Sequence, residues 1–178
     1  MSPPWGRCAS RRPRRPDSDT THCIMRMPSA VAAFLQGRRI AVAGVSRNSA
    51  QPANAIFRKL RTSRYEVFPI NPKAAAVEGV QCYTDIGSVP GPLDGVMIVT
   101  PPHISVEVVR QCSERGVRRV WFHRSVGAGS VSAEALRACT DQGIECIAGG
   151  CPLMFCEPID IGHRCMRWWF QKQGRVPK

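Results

Sequence analysis

The chain has 178 residues, of which 43% are hydrophobic and 21% charged, so composition predicts a globular domain rather than a disordered or fibrous protein. The net charge of +12 is concentrated at the two ends: residues 1–26 hold six Arg and two Asp, and residues 164–178 hold five cations and no acid. The middle of the chain is nearly balanced, so a nucleic-acid partner is not expected. No apolar run reaches the ~20 residues that span a bilayer, and we expect a cytoplasmic protein without a membrane partner.

Both ends are predicted to lie outside the main domain, which spans residues 27–157. Four prolines interrupt residues 1–26, which favours a disordered basic leader, or a start codon assigned too early, with Met25 or Met27 as the true start. Residues 158–178 are predicted to form a basic and aromatic helix or tail that docks on the sheet, on a second subunit or on an acidic partner. Without a secretion signal, the nine cysteines are expected to be mostly free thiols.

Apolar runs and amphipathic segments alternate along the domain. Strands are expected at 39–45, 65–70, 94–99, 119–123 and 144–148. Helices are expected at 29–37, with Ser29 as its cap, and at 52–63, 85–89, 104–115, 132–142 and 159–173. Alternating strands and helices indicate βαβ units with right-handed crossovers. The predicted fold is therefore α/β: a single Rossmann-like, doubly wound domain of about five parallel strands with helices on both faces.

In such a sheet, ligands bind at the carboxyl ends of the strands. Glycine after the first strand allows a tight turn and a close backbone approach, and the following helix N-terminus favours a phosphate. The alternative is an ordinary strand-to-helix turn. The candidate binding residues are those that follow the first four strands: Gly44, Val45, Ser46, Arg47 and Asn48; Asn71, Pro72 and Lys73; Thr100, Pro101 and Pro102; and His123.

The first turn does not follow the NAD fingerprint, which requires glycine where Ser46 and Ser49 stand. NAD sites also need an acid after the second strand, whereas this chain has Asn71. Lys73 suits a ribose phosphate, which both coenzyme A and NADP carry, or is a solvated loop lysine. His123 is either an acid/base or phosphate contact or an ordinary hydrogen-bonding residue at a strand end.

The cysteines near the C-terminus form a weak metal-site candidate. Their spacing differs from the compact pairs typical of zinc sites, so packing is the default interpretation. Cys151 could alternatively lie near the sulfur of a ligand, where thiol–disulfide exchange is conceivable. The residues concerned are Cys151, Cys156, His163 and Cys165.

Several motifs in the same order resemble the small stand-alone coenzyme A-binding domain proteins of bacteria, a family similar to the nucleotide-binding domain of the succinyl-coenzyme A synthetase α subunit. The resemblance covers about residues 34–157. It rests on Gly44-Val45-Ser46-Arg47-Asn48, Val67-Phe68-Pro69-Ile70-Asn71-Pro72-Lys73, Gly79, Tyr83, Asp94-Gly95-Val96-Met97-Ile98-Val99-Thr100-Pro101-Pro102 and Gly116-Val117-Arg118-Arg119-Val120-Trp121.

The resemblance implies a role for each segment. Gly44, Ser46 and Arg47 would face the pyrophosphate, Pro72 and Lys73 would lie by the adenosine and its ribose phosphate, and residues 100–102 would line the adenine or pantetheine side. It implies a non-catalytic or regulatory binding module for a small-molecule nucleotide, coenzyme A or an acyl-coenzyme A, with no catalytic residue. An NADP-type or acyl-transfer enzyme and an interaction protein with a decayed nucleotide site are the alternatives.

Overall fold

The computed structural model of the protein describes residues 27–124 and 129–172. The strands are β1 (Arg39–Ala43), β2 (Glu66–Ile70), β3 (Ala76–Val77), β4 (Val80–Gln81), β5 (Gly95–Ile98), β6 (Arg119–Phe122) and β7 (Glu145–Ala148). The helices are α1 (Ser29–Leu35), α2 (Pro52–Thr62), α3 (Pro102–Glu114), α4 (Ala133–Asp141) and α5 (Ile161–Lys172), with a 3₁₀ turn at Pro152–Met154.

The main sheet has five parallel strands in the order β2-β1-β5-β6-β7. This confirms the predicted α/β fold and explains the continuous apolar runs, because strands covered on both faces need apolar side chains on both. The chain leaves β1 towards β2 on one side and later returns to β5 on the other. The junction of β1 and β5 is therefore the switch point, where ligands of open parallel sheets bind.

Two hydrophobic layers cover the sheet. Alternate side chains of β1 point to opposite faces, so Ile40 and Val42 pack with α1, α2 and α5, whereas Ala41 and Ala43 pack with α3 and α4. The largest fully buried side chain is Trp121. Its indole nitrogen donates to the Gly149 carbonyl at 2.7 Å, which satisfies the polar group inside the core.

The connection between β2 and β5 differs from its prediction. Residues 85–89 form a turn and not a helix, because the Asp85 side chain accepts from the Ser88 amide at 2.7 Å and competes with helical hydrogen bonding. The two-residue strands β3 and β4 pair as an antiparallel hairpin that was not predicted. At its turn, Glu78 adopts φ of +53°.

Several helix boundaries also differ from their predictions by a residue or two. Pro28, and not Ser29, precedes the first helix, and Ser29 lies inside it. The third helix begins at Pro102 instead of Ile104, since proline suits the first helical position, where no intrahelical amide bond is needed.

The C-terminal helix α5 packs through Met166 and Phe170 on the α1/α2 side of the core. Trp168 and Trp169 remain about half exposed on its outer side. Its predicted contact with a second subunit or acidic partner stays a prediction. Within the described part of the chain, every helix is too short or too polar to cross a bilayer. The predicted leader, residues 1–26, lies outside the described residues.

Candidate functional site

Gly44 stands at the switch point, between the ends of three strands. Its amide donates to the Ile70 carbonyl of β2 at 3.3 Å. A Cβ atom built on Gly44 would lie 2.5 Å from the Val99 carbonyl oxygen, and φ is +103°. Only glycine satisfies both conditions. The first turn therefore lies directly against the chain that leaves β5.

The second strand end is tied to the first by Asn71. Its side-chain nitrogen donates to the Val45 carbonyl at 2.7 Å, and its Oδ1 accepts from the Lys73 amide at 2.8 Å. Pro72 and Lys73 follow on the surface. The Asn71 side chain therefore joins the first two predicted segments by hydrogen bonds. The carboxylate of an NAD site could not donate to the Val45 carbonyl in this way.

The third strand end leads into α3. Thr100 Oγ1 lies 3.1 Å from Ser105 Oγ, and Ser105 Oγ donates to the Ser130 carbonyl at 2.8 Å. Pro101 and Pro102 form the N-terminus of the helix. Because Val99 and the Thr100 amide lie beside Gly44, the third predicted segment shares the same edge.

His123 follows β6 and adjoins this edge. Its amide donates to the Ile98 carbonyl at 2.9 Å, so the backbone is held beside the end of β5. The side chain is only 7% exposed, and burial lowers its pKa below the ordinary value. The imidazole is therefore neutral at pH 7. The structure brings all four predicted segments to one edge of the sheet.

The first turn is organised by its own side chains. The Ser46 amide donates to Asn54 Oδ1 at 2.8 Å, the Asn48 amide to Ser46 Oγ at 3.1 Å, and the Ala50 amide to Asn48 Oδ1 at 3.0 Å. Among the described residues, the backbone amides of Arg47, Ser49 and Ala53 donate to neither a side-chain nor a backbone acceptor.

These unused amides stand at the end of the first turn and at the N-terminus of α2. They can donate hydrogen bonds to an anion there, and the dipole of the helix favours its negative charge. The Ser46 amide cannot, because Asn54 already occupies it.

Two exposed cations at this edge are Arg47 and Lys73. Both side chains are exposed, and neither makes an ion pair or side-chain hydrogen bond to any part of the chain that the structure describes. They are therefore free to meet a negatively charged ligand.

Sequence reasoning missed Asn54, Glu78 and Arg58. The one available signal was Asn54, a polar residue on the apolar side of α2, where Ile56, Phe57 and Leu60 also point. A polar group on a buried helix face must have hydrogen-bond partners. The sequence does not show that one of them lies 24 residues away.

The cysteine candidates do not form a metal site in residues 27–124 and 129–172, where no three His, Cys, Asp or Glu side chains are grouped for one. His163 Nδ1 instead lies 2.6 Å from Asp160 Oδ2, and Cys165 is exposed. Burial raises the pKa of Cys151 to about 12 and that of Cys156 to about 11, which disfavours the reactive thiolate. Thiol exchange at Cys151 is correspondingly disfavoured.

The parallel sheet, the glycine turn at its switch point and the helix N-terminus beside it define a Rossmann-like α/β domain. A comparison with protein families is more specific, since the model of the coenzyme A-binding domain family matches residues 38–157. The chain belongs to this family.

Curated relatives are larger enzymes. The chain is 31% identical over 105 residues to the α subunit of ADP-forming acetate–CoA ligase II from Pyrococcus furiosus, a match that covers 58% of this chain and 23% of that subunit. It is 28% identical over 81 residues to an ADP-forming acetate–CoA ligase from Methanocaldococcus jannaschii, covering 46% of this chain and 12% of the ligase. The chain thus spans less than a quarter of these relatives.

Solved structures include relatives of similar size. A hypothetical protein from Pyrococcus horikoshii superposes with a TM-score of 0.63 at 26% identity, covering 68% of this chain and 83% of that one. A dinucleotide-forming acetyl-coenzyme A synthetase from Ca. Korarchaeum cryptofilum, in complex with phosphate and ADP, has a TM-score of 0.54 at 27% identity and covers 61% of this chain and 25% of that one. Family membership supports coenzyme A binding and does not support the NADP alternative.

Proposed function

We propose that the chain binds coenzyme A or an acyl-coenzyme A at the carboxyl edge of its sheet, as a nucleotide-binding module without chemistry of its own. The observation that carries the proposal is the convergence of the ends of β1, β2 and β5 at Gly44, with unused amides and exposed cations around it. Coenzyme A presents a pyrophosphate and a ribose phosphate, and both need such donors.

Each segment has a proposed part. Amides at the first turn and at the start of α2 receive the pyrophosphate, where the helix dipole favours negative charge. Arg47 lies alongside as a counter-charge. Lys73 faces the ribose phosphate, and residues 100–102 with His123 line the remainder of the ligand.

The absence of chemistry is proposed from the state of the candidate groups. His123 is buried and neutral, so it is a poor proton donor at pH 7. The pKa of the Cys151 thiol is raised to about 12 by burial, so little thiolate forms. The matched segments cover 23% or less of the two ligase relatives, so only nucleotide binding is proposed for this chain.

Calorimetry with coenzyme A, acetyl-coenzyme A, NAD, NADP and ATP tests the proposal, together with thermal unfolding. A ligand at 100 times its dissociation constant should stabilise the fold by about 2.7 kcal/mol. We expect a shift with the two coenzyme A species and a weaker one in Lys73→Ala. Arg118→Ala is the matched control, because Arg118 is an exposed cation just before β6, at the opposite end of the sheet.

The other outcomes separate the alternatives. A response to NADP alone would favour a redox enzyme, and turnover with an acyl donor would show that the module has chemistry. If none of the five nucleotides binds, the proposal fails and an interaction protein with a decayed site is the better description.

A further inference from the structure

Asn54 is the most enclosed polar side chain near the first turn, at 1% exposure. Its Oδ1 accepts from the Ser46 amide at 2.8 Å, and its Nδ2 donates to the Ser46 carbonyl at 2.7 Å. The same nitrogen donates to Glu78 Oε1 at 2.8 Å. The Asn54 amide oxygen and both of its amide protons are therefore hydrogen-bonded. The side chain binds both backbone polar groups of Ser46, the amide and the carbonyl.

Glu78 supplies its contact from the tip of the β3–β4 hairpin. Its Oε1 also accepts from Arg58 Nη1 at 2.6 Å, and Arg58 Nη1 donates in addition to the Ser49 carbonyl at 3.1 Å. Glu78, Asn54 and Arg58 are named the hairpin cluster below. The cluster contacts the first turn at Ser46 and at Ser49, on either side of Arg47 and Asn48.

A carboxylate at this position is unexpected beside a site for a polyanion, because like charges repel. Its geometry offers a different role. An asparagine amide can be flipped with little change in shape, but only one orientation puts oxygen on the Ser46 amide and nitrogen on the Ser46 carbonyl. A carboxylate can only accept hydrogen bonds, so Glu78 favours the orientation with nitrogen towards itself.

We propose that Glu78 is a positioning residue for the phosphate-binding turn: it holds Asn54 in the orientation that fixes Ser46 and leaves the amides of Arg47 and Ser49, which have no acceptor among the described residues, available to a ligand. The hairpin would then be part of the binding site without touching the ligand. This inference rests on the proposed function, because it concerns the affinity of the same site.

A charge effect of Glu78 and a positioning effect predict opposite changes in the coenzyme A affinity of Glu78→Ala, so the two can be distinguished by experiment. Glu78→Ala removes the negative charge and the acceptor, whereas Glu78→Gln removes the charge and keeps a carbonyl acceptor for Asn54. If Glu78 positions the turn, coenzyme A binds about five- to tenfold more weakly to Glu78→Ala in calorimetry, and Glu78→Gln binds as tightly as the unaltered chain or more tightly. If Glu78 acts only as a nearby charge, both variants bind more tightly and the inference is overturned.

An equal loss in both variants would also overturn it, since the ion pair with Arg58 would then matter and the grip on Asn54 would not. Glu145→Ala is the control, because it removes an ion pair with Arg119 at the other end of the sheet. Its affinity should not change.

A measurement without ligand covers the case of a destabilised variant. The Ser46 amide should exchange its proton about tenfold faster in Glu78→Ala than in Glu78→Gln at equal global stability. Equal exchange in the two variants would contradict the positioning role. A chain that binds no coenzyme A defeats the proposed function, whereas a chain that binds it with unchanged affinity in Glu78→Ala defeats this inference alone.

Discussion

The two ends of the parallel sheet use charged residues differently. At the amino end, the carboxylates of Glu66, Asp94 and Glu145 are each paired with an arginine side chain or with backbone amides. At the carboxyl end, Arg47 and Lys73 have no such partner within the described ranges.

The amino end is held by Asp94 and Arg39. The Asp94 carboxylate accepts from the Arg38 amide at 2.7 Å and from the Arg39 amide at 2.9 Å, which joins the start of β1 to the residue before β5. The Arg39 guanidinium pairs with Glu66 and donates to the Pro92 carbonyl at 2.8 Å. These charges serve the fold.

The carboxyl end keeps Arg47, Lys73 and several backbone amides available, and the tertiary structure fixes the backbone around them through Gly44, Asn71 and Asn54. The comparison indicates that a binding edge combines a backbone held in place by hydrogen bonds with amides and cations that have no partner in the described part of the domain. Substitutions at the two ends should therefore affect different measurements: ligand affinity at the carboxyl end and only stability at the amino end.

The largest effect is expected from Gly44→Ala. Its Cβ would lie 2.5 Å from the Val99 carbonyl oxygen with φ at +103°, so the ends of β1 and β5 must separate. We expect a loss of about 2–4 kcal/mol in the free energy of unfolding and no measurable coenzyme A binding. Denaturant unfolding and calorimetry measure the two losses.

Gly116→Ala is the control for that substitution. Gly116 also has a positive φ, +72°, but no atom lies within 4 Å of its Cβ position. Only the conformational penalty remains, about 1–2 kcal/mol, and affinity should be retained. If Gly44→Ala cost no more than Gly116→Ala, the close approach at the switch point would be irrelevant.

Lys73 gives the next effect, which should depend on the ligand. Replacing Lys73 with Ala should weaken coenzyme A binding about tenfold, or about 1.4 kcal/mol. If the lysine faces the ribose phosphate, the same substitution should change the affinity for dephospho-coenzyme A very little, because the contact is already missing. Equal weakening for both ligands would place Lys73 elsewhere in the site.

At the amino end, Asp94→Ala should reduce stability by about 1–2 kcal/mol at pH 7 and leave the affinity unchanged. Hydrogen bonds from the Arg39 and Arg38 amides hold the pKa of Asp94 below its ordinary value of 3.8. A depressed folded pKa means that the contribution is complete above about pH 4 and is lost as the pH falls through the folded pKa.

Unfolding curves between pH 6 and pH 3 test this dependence. The stability of the variant should fall less steeply with acid than that of the unaltered chain. Parallel pH profiles would show that the Asp94 carboxylate does not hold this end together.

The smallest effect is expected from Glu145→Ala. Its carboxylate meets Arg119 at 3.2 Å, with side chains 74% and 42% exposed. Exposed pairs of this kind contribute little, so the change in unfolding free energy should stay below about 0.5 kcal/mol. A larger loss would mean that the edge pair of β6 and β7 matters more than its exposure suggests.

Much of the fold could be predicted because local patterns dictate it. Residues 40–43 and 95–98 are apolar without alternation, as expected for strands buried on both faces. The site segments followed from the same prediction, since the carboxyl ends of parallel strands share one edge. The turn at 85–89 was predicted wrongly, because a short aspartate-capped turn resembles a short helix in composition.

The amino-acid sequence by itself determined the parallel sheet, its two apolar layers and the edge where Gly44, Asn71 and Thr100 meet, because apolar periodicity is a local property and alternating strands and helices imply parallel pairing. Only the tertiary structure decided which amides and cations remain available there. The Asn54 side chain accepts the hydrogen bond of the Ser46 amide, so that amide is not available to a ligand. Asn54 in turn donates to Glu78, which lies 24 residues further along the chain, in the β3–β4 hairpin. Hydrogen bonds between distant segments depend on how the chain packs, and no spacing in the sequence records them.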